Sequence, residues 1–142
     1  MANGDVDNNP PAQIRELLPN DPLFRALLKA KWLEHLPEAF MLRSDENELS
    51  VCFDCAPADC ITILNLNRVH GVARLTLNAV AALELTVTPD EPNHALIEGL
   101  PHKEDNPDRA EFLASQLAAS AVIVDRTRRE KQQPAVPLPG GG

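Results

Sequence analysis

Three cysteines, Cys52, Cys55 and Cys60, stand in the spacing C-x2-C-x4-C. Two thiolates three residues apart can share one tetrahedral ion, so Cys52 and Cys55 make half of a zinc knuckle. His70 or His94 could supply a fourth ligand; against zinc, no second C-x2-C follows. Structural zinc closes with four ligands, so buried or plain thiols are the favoured reading and these three are the weaker metal candidates. On a regular strand Cys52 and Cys55 point to opposite faces. A redox C-x2-C opens a helix whose N-terminus depresses the thiol pKa. Here Phe53 and Asp54 fill the gap, and the Asp54 carboxylate acts in the opposite direction.

The four histidines, His35, His70, His94 and His102, fall outside any H-E-x-x-H or H-x3-H spacing. His70 precedes one expected strand and His94 opens another, a placement that lets both face one pocket as acid and base near neutral pH. With Arg43 and Ser50 they make up the catalytic candidates. The competing reading, in which each imidazole satisfies a turn, carries more weight for any one His. The chain has no G-x-S-x-G elbow and no G-x-x-x-x-G-K loop. Between residues 5 and 139 its glycines are Gly71 and Gly99. No Gly-rich loop cradles a nucleotide, so the sequence leans away from an enzyme and no cofactor is expected.

Net charge is −8, from 21 acidic and 13 basic side chains. That balance argues against nucleic acid, whose phosphates need clustered Lys and Arg. The acidic residues gather at Asp45, Glu46 and Glu48, at Asp90 and Glu91, and at Glu104 and Asp105. Such clusters steer a protein partner with a basic surface, or simply keep loops solvated. No apolar run approaches the ~18 residues of a membrane span. Met1–Asn9 lacks the charged and apolar regions of a signal peptide, and a cytoplasmic location is expected.

A chain of 142 residues is one domain. Residues 1–20 read as a flexible arm, 21–130 as the domain and 131–142 as a flexible Pro/Gly tail. Asp21 as cap, Pro22, and Phe24, Leu28, Trp32 and Leu36 at every fourth position predict an N-terminal helix over 21–36. Ala39–Leu42 and the alternating Leu49, Val51 and Phe53 predict a hairpin across a polar turn. Residues 58–66 favour a short helix, 71–76 a strand, 77–85 a helix, 86–88 a strand ending before Pro89, and 94–98 a strand. Asn106 and Pro107 start a C-terminal helix, with Leu113, Leu117, Ala121 and Val124 as its inward stripe. The fold class is α+β: a short mixed or antiparallel sheet packed by an N-terminal and a C-terminal helix.

Several fragments occur together: Ala39-Phe40-Met41-Leu42-Arg43, Leu49-Ser50-Val51, Gly71-Val72-Ala73 and His94-Ala95-Leu96-Ile97-Glu98-Gly99-Leu100-Pro101. Their order resembles a family of small uncharacterised bacterial proteins that share an A-F-x-L-R segment, L-S-V and G-V-A strands and an H-A-x-I-x-G turn. The resemblance spans about residues 21–124 and implies a bacterial, cytosolic, single-domain protein without a nameable activity. It marks Arg43, Ser50, His94 and Gly99. A second resemblance is to small ADP-ribosyltransferase-like domains, which place an early Arg, a later Ser and a downstream Glu around NAD. Arg25 or Arg43, Ser50 and Glu98 stand in that order, without a Tyr to stack on nicotinamide.

The leading expectation is a non-catalytic protein-binding or accessory protein, of the kind found in bacterial toxin–antitoxin or phage-defence operons. The alternatives are a small enzyme with an NAD pocket and a zinc-stabilised module.

Overall fold

The computed structural model describes residues 14–131, so the expected tail and most of the expected arm lie outside the described residues. The strands are β1 (Pro22–Leu27), β2 (Leu49–Cys52), β3 (Arg68–Val69), β4 (Gly71–Thr76), β5 (Thr86–Glu91), β6 (His94–Glu98), β7 (Val122–Asp125) and β8 (Arg129–Glu130). The helices are α1 (Cys60–Ile63), α2 (Leu77–Ala81) and α3 (Pro107–Ser120), with 3-10 turns at Ala30–Leu33, Leu36–Phe40 and Pro57–Asp59. Six strands form one antiparallel sheet in the order β5-β6-β2-β1-β4-β7, and β3 pairs separately with β8.

The sheet is covered on both faces near its centre. On the front, Leu23, Leu27, Leu49, Val51, Leu75 and Ile97 share one buried cluster with Phe40, Leu113 and Leu117. The 3-10 turn Leu36–Phe40 packs on α3 there. On the back, Phe24, Ala26, Cys52 and Val72 pack with Cys60 and Val69. Each large apolar side chain buried this way stabilises the fold by about 1.5–3 kcal/mol.

This double burial overturns the expected N-terminal helix. β1 sits inside the sheet, paired with β4 over six residues. Leu23 and Leu27 face the front while Phe24 and Ala26 face the back, so the strand reads as an apolar run broken only by Arg25. Such a run has no period-two signal, and its four-residue echoes imitate a helix. Asp21 is a turn residue here, accepting from the Leu18 amide and from Arg15.

The expected hairpin over 39–53 also fails. Residues 36–40 form a 3-10 turn, and β2 pairs with β6 instead, Leu49 opposite Ile97 through Cys52 opposite His94. The C-terminal helix starts as expected: the Asn106 side chain accepts from the Arg109 amide at 3.1 Å. It ends at Ser120, and Val122–Asp125 form β7. Val122, Ile123 and Val124 are β-branched and prefer the strand. β5 runs through Pro89 rather than stopping before it, as an edge strand permits.

Residues 14–20 are tied to the domain by the Pro19 carbonyl, which accepts from the Asn78 amide at 2.8 Å, and by two side chains. Leu17 is buried, and Arg15 bonds both Asp21 and Asp54 while lying over the Phe53 ring.

Candidate functional site

β1 and β2 meet at a single pair, Phe24 opposite Cys52, and then splay apart. The Arg25 side chain fills the gap. It is the one buried charged residue among the described residues, 4% exposed. Its Nε donates to the Ala39 carbonyl at 2.9 Å and its Nη1 to the Ser50 carbonyl at 3.1 Å. The guanidinium therefore takes an acceptor on β2 that a fully paired β1 would otherwise reach. Trp32 lies across it, 5.9 Å from ring centroid to guanidinium carbon.

The gap opens into a cavity of about 110 Å³ lined on its polar side by Arg25, Arg43, Glu46 and Ser50. Leu28, Leu64 and Leu66 line the apolar side. Arg43 and Glu46 form a latch. The Glu46 carboxylate accepts from the Arg43 amide at 2.8 Å and from Arg43 Nη2 at 3.2 Å. Burial raises the Glu46 pKa, but the Arg43 contacts outweigh it and hold the group below the usual carboxylate range. Burial pulls the Arg25 guanidinium down to about 10, with Glu46 opposing through its charge.

Two of the four catalytic candidates, Arg43 and Ser50, thus line one cavity. His70 and His94 do not line it. His70 donates its amide to the Leu27 carbonyl between β3 and β4. His94 shares a sheet face with Ser50, but its Nδ1 is 2.6 Å from Asp90 Oδ1 at the tip of the β5–β6 hairpin. Glu98, on that same face, accepts from the Thr88 hydroxyl at 2.6 Å. Arg25 was legible only as one member of an ordered Arg–Ser–Glu series. Its signal is a charge inside the apolar run 23–28.

The cysteines meet on the back of the sheet. β2 ends at Cys52, and the chain then turns through Asp54 in the left-handed region, φ +56. Asn93 donates from Nδ2 to the Phe53 and Asp54 carbonyls, and Arg15 grips Asp54. This pinned turn returns Cys55 toward α1, and Cys55 packs against the back cluster that holds Cys52 and Cys60. Burial pushes the Cys55 thiol up to about 12, and the Cys52 neighbour and burial push Cys60 up as well. Among the described residues, the group of three or more metal-ligating atoms lying within 4.8 Å of one another is Asp90, Glu91 and His94, not the three sulfurs.

The acidic clusters are arranged at two ends of the sheet. His102 Nε2 contacts the Glu46 carbonyl, and its Nδ1 lies 3.9 Å from Asp105. This clasp joins the turn carrying Asp45, Glu46 and Glu48 to the loop carrying Glu104 and Asp105. Glu98 follows Ile97, the partner of Leu49, and so lies at the same end of the sheet. Asp90 and Glu91 lie at the opposite end, beside His94. No described helix is long and apolar enough to cross a membrane.

Comparison of the chain with protein families, curated proteins and solved structures finds no match.

Proposed function

We propose that this chain is a non-catalytic binding protein that takes a protein partner with a basic surface. The observation that carries this reading is the His102 clasp. It brings Asp45, Glu46, Glu48, Glu104 and Asp105 together from two loops, with Glu98 alongside. Arg43 is engaged with Glu46, leaving Lys103 as the other cation in these two loops. Grouped carboxylates of this kind steer a cationic partner and fix its orientation more than they add affinity. An accessory role in a bacterial toxin–antitoxin or phage-defence operon belongs to the same proposal, as does the bacterial family resemblance.

Affinity purification of the tagged chain from its native host tests the reading. A basic protein that co-elutes, and leaves the column as salt rises, supports it. The quadruple variant Asp45→Asn, Glu48→Gln, Glu104→Gln, Asp105→Asn then recovers much less of that protein. Recovery of the chain alone as a monomer at low salt overturns it.

A further inference from the structure

A guanidinium carries five N–H donors. Arg25 spends one at Nε and one at Nη1 on backbone carbonyls, and no described carboxylate pairs with it. Glu46 acts on it only through its charge, being committed to Arg43. A cation removed from water and left without a direct counter-charge is strongly disfavoured. Arg25 lines the cavity between β1 and β2.

We infer that this cavity is a binding site for a small aliphatic monocarboxylate, held by Arg25, Arg43 and Ser50. Three features select that class. Two guanidiniums against the single Glu46 carboxylate leave one positive charge, which one monoanion balances. Charge-assisted hydrogen bonds from a planar guanidinium to a carboxylate are short and directional, and the Ser50 hydroxyl supplies a neutral donor. The apolar lining residues Leu28, Leu64 and Leu66 suit an alkyl tail. The volume of about 110 Å³ equals that of roughly four waters, which fits an acid of about two or three carbons. Inorganic phosphate matches less well: its second charge meets Glu46, and it offers nothing apolar to the leucines.

Glu46 belongs both to this cavity wall and to the acidic turn, so the test uses the purified full chain with no protein partner present. Sodium propionate is titrated at constant ionic strength against sodium chloride, with thermal unfolding and amide NMR shifts as readouts. The expected result is a saturable rise in Tm, with saturable shifts at the Ala26, Arg43 and Ser50 amides. Inorganic phosphate at the same ionic strength produces neither. Arg43→Gln and Ser50→Ala, at positions that are not fully buried, each weaken propionate by about tenfold. Arg25→Met abolishes the response. If that variant does not fold, the other two decide the matter. Equal responses to propionate, phosphate and chloride overturn the site, as does propionate binding unchanged in Arg43→Gln and Ser50→Ala.

Discussion

Arg15 holds Asp54 through two parallel donations, Nε to Oδ2 at 2.7 Å and Nη2 to Oδ1 at 2.8 Å. The same guanidinium reaches Asp21 at 2.7 and 2.9 Å. It ties the chain before β1 to the turn after β2, and so fixes the loop that presents Cys55. Both carboxyls are held below their usual pKa, chiefly by the Arg15 hydrogen bonds. A carboxyl with a lowered folded pKa stabilises the protein above its unfolded value, about 3.9, and that contribution disappears as pH falls through the folded pKa. The wild-type chain therefore loses stability below about pH 4. Arg15→Met lowers Tm at pH 7 and flattens this acid limb, as thermal unfolding from pH 2 to 7 will show.

The thiols act at the other end of the pH scale. Cys55 and Cys60 are raised in the folded protein. Their contribution is complete below the unfolded thiol value, about 8.5, and is lost as pH rises toward the folded values. Near pH 8 the raised Cys55 thiol stays protonated, so iodoacetamide labels it slowly, and it labels the buried Cys52 and Cys60 only once urea unfolds the protein. Mass spectrometry of the labelled chain checks the order.

Gly71 faces a neighbouring strand at close range. A Cβ built there would lie 2.7 Å from the Asp125 carbonyl and 3.0 Å from Leu33 Cδ2. The carbonyl belongs to backbone, so β7 must move to admit a methyl group. Gly71→Ala is expected to destabilise the fold by about 1–3 kcal/mol. Urea unfolding measures the loss, and NMR shifts concentrated at β4 and β7 locate it.

Asn106 satisfies the Arg109 amide at the start of α3. Asn106→Ala should lower stability by about 1 kcal/mol, while Asn106→Asp should retain it, since both Asn and Asp cap well. Equilibrium denaturation of the two variants separates a capping role from a general loop effect.

Much of the fold was legible where a local rule acts alone. The cap and proline at Asn106 and Pro107 start α3, and the bounds of β4 and β6 follow from their patterns. The rule fails where tertiary burial erases the pattern. β1 is apolar on both faces, so its alternation vanishes and Phe24, Leu28 and Trp32 imitate a helix. Ala121 and Val124 fall on helical positions after Leu117, yet Val122–Asp125 pair with β4. The cavity was half legible. Arg43 and Ser50 were marked as candidates, but Arg25 joins them only because β1 and β2 part after one pair. No spacing along the chain encodes that parting.

Pro89 has a consequence for how this chain meets copies of itself. It sits in edge strand β5, beside the irregularity between Pro89 and Glu91. Lacking an N–H, kinked and flanked by Asp90 and Glu91, that edge resists a further strand. The opposite edge of the described sheet, β7, has no proline and exposes Val122 and Val124. A filament needs two receptive edges; among the described residues β7 is the receptive one, so any strand added there would close a pair rather than start a filament.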